Sequence, residues 1–85
     1  MMDLDLRNYT EDEREMLYIS LSTEQIRVLE LRFGIRPLPG RTVGSPLTLG
    51  DVGLIMKKKR EEVRRIEAQA LQIIRRDCEL VLHDV

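Results

Sequence analysis

The sequence predicts an all-α fold, a small domain of four helices whose last two form a helix-turn-helix. Residues with high helix propensity dominate the 85-residue chain, and its apolar residues recur at helical spacing rather than alternating as in a strand. Candidate N-cap residues with capping-box partners precede three of these apolar segments. We expect one domain over residues 10–82, a flexible N-terminus over residues 1–9, and no β-wing after the helix-turn-helix.

The first two helices each begin with a capping-box pattern. Thr10 and Glu13 open "TEDEREMLYISL", and Ser22 and Gln25 open "STEQIRVLELRFG", which Gly34 ends as a left-handed C-terminal glycine. In the first helix the apolar residues come late, so we expect only its second half to pack through Met16, Leu17, Tyr18 and Ile19. The second is expected to pack through Ile26, Leu29 and Phe33, with Val28 and Leu31 beside them.

A loop is expected over residues 35–46, which hold all three prolines, and a short third helix follows it. Thr48 is the candidate cap and Asp51 its capping-box partner. Gly50 and Gly53 each weaken this helix by roughly 1 kcal/mol relative to alanine, so we expect a close neighbour against it. The residues expected to face inward are Leu49, Val52 and Met56.

Three lysines, "KKK" at residues 57–59, form the predicted turn before a long fourth helix from Arg60 to about Leu82. Its expected inward residues are Val63, Ile66, Ala70, Leu71, Ile73, Ile74, Cys78 and Val81. The outer face near its start carries Arg60, Glu61, Arg64 and Arg65.

Charge is unevenly distributed, although the net charge of the chain is only −1. Residues 1–30 hold eight acidic and three basic residues, and residues 57–76 hold three acidic and eight basic residues. A basic segment of this kind permits contact with nucleic acid. A helix-turn-helix can place its second helix in the major groove, where arginine matches guanine and glutamate accepts from cytosine. Lysines in the turn suit phosphates, as do the free N–H groups at the start of the third helix. The alternative is that these charges are simply a solvated helix face.

The order of the residues adds a resemblance. "LSTEQIRVLELRFGI", "TLGDVG" and "REEVRRIEAQAL" resemble region 4 of the sigma-70 family, the promoter-binding domain of bacterial sigma factors, over roughly residues 21–76. The resemblance implies that the fourth helix reads a −35 promoter element. The DNA-binding residues expected on this basis, together with the lysines of the turn, are Thr48, Leu49, Lys57, Lys58, Lys59, Arg60, Glu61, Arg64, Arg65 and Gln69.

The resemblance also implies contact with the flap of the RNA polymerase β subunit. The polymerase-binding surface would include Leu17, Ile26, Leu29 and Phe33, for which a place in the core is the alternative. The chain departs from the family at several positions. Arg65 stands where the family usually has glutamine, and Lys58 and Lys59 stand where it has an apolar residue and a Ser or Thr cap. Leu54 and Ile55 stand where it is often polar, and are candidates for a homodimer or partner surface.

The other sigma regions do not fit in 85 residues, so we do not expect a complete sigma factor. We expect a stand-alone region 4-like protein, and an excised domain is the alternative. Its expected function is a DNA-binding module that docks a −35-like element and RNA polymerase. An adaptor, coactivator or inhibitor that binds the polymerase flap with little DNA specificity is the alternative. We expect no enzyme, metal or cofactor, because the chain has one histidine, one cysteine and no phosphate-binding loop. The lone cysteine and the lack of a membrane span or signal peptide favour the cytoplasm.

Overall fold

The computed structural model describes residues 6–35 and 46–83, with side chains described as far as residue 77. Four α-helices follow one another: α1 at Glu11–Leu17, α2 at Thr23–Phe33, α3 at Leu49–Met56 and α4 at Arg60–His83. Short 3-10 helices lie at Leu6–Asn8 and Tyr18–Ser20. The described part contains no strand, which confirms the predicted all-α class and the predicted order of four helices.

The packed domain reaches further toward the N-terminus than we predicted. Leu6 is completely buried, and Arg14 donates from Nη1 to the carbonyl oxygens of Leu6 at 3.3 Å and Tyr9 at 2.6 Å. An arginine that satisfies two backbone carbonyls holds the segment against α1. The prediction of a flexible N-terminus over residues 1–9 is therefore wrong for residues 6–9, and residues 1–5 lie outside the described part.

α1 is shorter than the predicted first helix. Its Thr10–Glu13 capping box is present, but the chain tightens into a 3-10 turn at Tyr18 before the next cap. This turn directs Leu17 and Tyr18 toward the core, whereas Met16 is 73% exposed and Ile19 is 79% exposed. The prediction that Met16 and Ile19 pack is thus wrong, because a helix of two turns can direct only one narrow face inward.

α2 and α3 form as predicted. Ser22 and Gln25 cap α2 reciprocally, and Gly34 ends it in the left-handed conformation with φ 67°. Thr48 and Asp51 cap α3 in the same way. Of the predicted loop, residues 36–45 lie outside the described part, but its end is held: the Leu47 N–H donates to the Leu31 carbonyl at 3.3 Å.

α4 packs against both α2 and α3 and so unites two clusters of the core. The first cluster joins the helix-turn-helix to α2 and consists of Val28, Leu31, Leu47, Val52 and Val63, with Leu49, Met56 and Ile66 packed against it. The second joins α4 to α2 and the N-terminal segment through Leu6, Leu29, Ala70 and Ile74, with Leu17, Phe33 and Leu71 among their neighbours. The predicted inward stripe of α4 is confirmed for Val63, Ile66, Ala70, Leu71 and Ile74. Ile73 keeps part of its surface exposed and lines a depression beside Gln25 of α2. The side chains of Cys78, Val81 and His83 lie outside the described part.

Candidate nucleic-acid interface

The first residues of α3 lie beside a fully used capping box. Thr48 Oγ1 accepts from the Asp51 N–H at 3.1 Å, and Asp51 Oδ2 accepts from the Thr48 N–H at 3.4 Å. The amides of Leu49 and Gly50 come first in the helix and have no intrahelical acceptor. Thr48 is exposed and Leu49 is half-buried against the first core cluster. A phosphate contact at this point would therefore be made by backbone amides and the Thr48 hydroxyl.

The turn between α3 and α4 is tight and depends on Gly53. Lys57 adopts the left-handed conformation with φ 57°, and the amide N–H groups of Lys57 and Lys58 both donate to the Gly53 carbonyl oxygen. A Cβ atom on Gly53 would stand 2.7 Å from the Lys58 carbonyl oxygen. This contact is the close neighbour that the sequence predicted for α3, and the neighbour is the turn itself.

The three lysines of the turn do not share one environment. Lys58 Nζ lies 2.8 Å from Glu24 Oε2 in the first turn of α2, and its side chain is only 23% exposed. The hydrogen bond and the charge of Glu24 raise the pKa of Lys58 above its usual value. Lys57 and Lys59 are exposed. In the structure, Lys58 thus forms an ion pair that joins the turn to α2.

The first two turns of α4 expose all four residues predicted to meet bases or phosphates: Arg60, Glu61, Arg64 and Arg65. Lys59 occupies the N-cap position, where its carbonyl accepts from the Val63 N–H at 3.1 Å but its side chain has no acceptor to offer. Arg64 donates from Nε to Glu61 Oε1 at 2.7 Å. This bond lowers the pKa of the Glu61 carboxyl and raises that of the Arg64 guanidinium.

The predicted site residues farther from the turn divide into surface and core. Gln69 is exposed and lines a shallow depression with Gln25 of α2, about one turn of helix beyond Arg65. Among the residues expected to meet the polymerase, Leu17, Ile26 and Phe33 keep part of their surface exposed. Leu29 is completely buried in the second core cluster, which is the alternative that the sequence left open for it. Leu17 and Phe33 pack against the same cluster.

The structure also reveals a residue that sequence reasoning missed. Arg32 of α2 donates from Nε to both carboxylate oxygens of Glu67 on α4 at 3.2 Å, and from Nη1 to the Leu47 carbonyl at 2.6 Å. One guanidinium therefore joins α2, α4 and the segment that leads into α3, and fixes the placement of α4 against α2. Both residues stand within the quoted motifs, "LRFGI" and "RRIEAQAL", but their separation in sequence gave no sign that they meet.

Other kinds of site have no support in the described residues. They contain no group of three or more histidine, cysteine, aspartate or glutamate side chains arranged to hold a metal ion. None of the described helices combines the length and the apolar character that a membrane span requires. What the described surface offers is the exposed polar start of α4, directly after the tight turn that ends α3.

Comparison with known proteins identifies the family. The family model described as "Sigma-70, region 4" matches residues 19–76, which is more than half of the chain and agrees with the range of the resemblance. No curated protein and no solved structure matches the chain. The matched family consists of DNA-binding helix-turn-helix domains of transcription, which are not enzymes and which interact in general with DNA and RNA polymerase. The helix-turn-helix geometry and this match together show that the chain belongs to the sigma-70 region 4 family.

Proposed function

We propose that the protein is a transcription initiation module that docks on a −35-like promoter element and on RNA polymerase in the cytoplasm. The observation that carries the proposal is the exposed start of α4, where Arg60, Glu61, Arg64 and Arg65 are all accessible to solvent. A recognition helix meets base edges with its first turns, so these side chains are in the part of α4 that would enter the major groove. The exposed Lys57 and Lys59 flank it, where phosphates would lie.

Polymerase contact would use the partly exposed residues of the first two helices, Leu17, Ile26 and Phe33, over the buried Leu29. Because these side chains already pack in part against the domain, a flap segment would extend an existing apolar surface. The proposed partners are thus promoter DNA and the β-subunit flap.

The first test is binding of the purified protein to a duplex with a −35-type element and to a scrambled duplex, across a salt series. Phosphate contacts release counterions, so we expect affinity to fall steeply with salt, with a preference for the element. Arg64→Ala should weaken binding to both duplexes, because it removes a guanidinium beside the groove. Equal binding to the two duplexes by the unaltered protein would contradict promoter recognition.

An adaptor, coactivator or inhibitor is the second candidate, and the exposed apolar pair on α3 favours it. Leu54 is 82% exposed and Ile55 is 38% exposed, which is unusual for large apolar residues in a short helix. This pair could receive a protein partner or a second copy of the chain. Flap capture alone does not distinguish the candidates, because both keep the polymerase contact when Arg64 and Arg65 are changed to alanine. Polymerase-dependent transcription with this double variant does: an adaptor would keep its effect, and a promoter reader would lose it together with DNA binding.

A further inference from the structure

We propose that Arg65 reads a guanine in the major groove and so sets the base preference at one position of the DNA site. This inference rests on the proposed function and names the base contact that the same site would make. It depends on where α4 directs its side chains and on which of its arginines already has a partner.

The direction of each side chain follows from the helix period of about 100° per residue. Val63, Ala70 and Ile74 are completely buried and mark the side of α4 that faces the core. Five exposed residues lie within about 40° of the opposite line. We call this line the outer ridge, and its members are Glu61, Arg65, Ala68, Gln72 and Arg76. Arg60 and Arg64 lie to the side of it.

Ion pairing then separates the charged residues of the outer ridge. Glu61 has two arginines within reach, Arg64 at i+3 and Arg65 at i+4. In the structure it accepts from Arg64, and the hydrogen bond at 2.7 Å engages both side chains. Arg65 makes no hydrogen bond or ion pair with any residue in the described part of the chain. The other arginine of the outer ridge, Arg76, is in an ion pair in which its Nε lies 3.6 Å from Asp77 Oδ1. Arg65 is therefore the arginine of the outer ridge that is free to bind a base.

The neighbours of Arg65 suit close approach to DNA. Ala68, one turn further along the outer ridge, is small, so the helix can lie near the floor of the groove. A free guanidinium at that depth matches the O6 and N7 acceptors of guanine in a bidentate manner. Glutamine, the usual family residue at this position, would instead match adenine. The substitution of arginine for glutamine therefore predicts a guanine at the base that Arg65 meets.

The experiment is selection from a pool of DNA duplexes randomised over about ten base pairs, one turn of DNA, with sequencing of the bound fraction. We expect the unaltered protein to enrich a motif with one strongly selected guanine. Arg65→Gln should change that position alone to adenine, and Arg65→Lys should keep guanine. Changing that guanine should cost the unaltered protein roughly 5- to 150-fold in affinity, the range of one bidentate contact.

Arg75→Gln is the matched control, because Arg75 is an exposed arginine about 15 Å further along the same helix. It should leave the selected motif unchanged. If Arg65→Gln enriches the same motif as the unaltered protein, Arg65 does not read the base and the inference fails, while promoter recognition stands. If the unaltered protein binds DNA but enriches no motif, the proposed promoter recognition fails, and this inference fails with it.

Discussion

Gly50 and Gly53 stand three residues apart in α3, yet their surroundings differ. A Cβ atom on Gly50 would come no closer than 3.8 Å to the Thr48 hydroxyl, which is an ordinary contact. The same atom on Gly53 would stand 2.7 Å from a backbone oxygen of the turn, which cannot move without displacing the start of α4. Gly53 is thus required by packing, whereas Gly50 is not.

Alanine substitution should separate the two glycines. We expect Gly53→Ala to destabilise the protein by about 1–3 kcal/mol, because the turn must open to admit the methyl group. Gly50→Ala, the matched control, should stabilise α3 by up to about 1 kcal/mol through higher helix propensity. Urea unfolding of the three proteins measures both effects. Equal changes in the two variants would show that the turn does not constrain Gly53.

At the scale of elements, the turn between α3 and α4 shows how one sequence motif divides into two roles. The three lysines look equivalent in sequence, but only Lys57 and Lys59 are exposed. Lys58 replaces the apolar residue usual in the family and reaches Glu24 of α2, so an ion pair holds the turn at a place where the family usually has an apolar contact.

The salt dependence of DNA binding should distinguish the lysines. Each phosphate contact contributes about 0.9 to the slope of log affinity against log salt. We expect Lys59→Ala to reduce the slope by about that amount, and Lys58→Ala to leave it nearly unchanged while lowering the urea midpoint. The combined charge exchange of Glu24→Lys with Lys58→Glu should restore the midpoint. A larger loss of slope in Lys58→Ala than in Lys59→Ala would contradict this assignment.

For the whole molecule, two exposed carboxylates make the folded state sensitive to acid. The Thr10 N–H donates to Glu13 at 2.8 Å and holds the pKa of Glu13 below its usual value of 4.5. The hydrogen bond and charge of Arg64 lower the pKa of Glu61 in the same way. Because the folded state favours both charged forms, their contribution is present above pH 4.5 and is lost as the pH falls through the lowered pKa values.

A variant with Glu13→Gln and Glu61→Gln should therefore lose less stability than the unaltered protein when the pH falls from neutral to below 4.5. Glutamine can still complete a capping box, as Gln25 does with Ser22, so helix α1 should be retained. Urea midpoints of both proteins across this pH range measure the difference. An equal loss in the two proteins would show that other groups control the acid response.

The sequence by itself determined the elements, because caps, helical spacing and terminal glycines act between neighbours in the chain. It predicted three capping boxes, the left-handed Gly34, the exposed Leu54 and Ile55, and the family to which the chain belongs. These signals come from residues that are close together in the sequence, so they can be recognised without the tertiary structure.

Only the tertiary structure decided which residues meet across elements. The burial of Leu6 and the exposure of Met16 and Ile19 depend on the placement of helices that are distant in sequence. So do the ion pairs of Arg32 with Glu67 and of Lys58 with Glu24. Glu61 accepts a hydrogen bond from Arg64 and not from Arg65. Both arginines are close to Glu61 in the sequence, and their spacing alone does not decide which of them pairs with it. The sequence therefore predicted which residues are candidates for DNA contact. Helix packing and ion pairing decided which of those side chains have no partner within the described part of the protein.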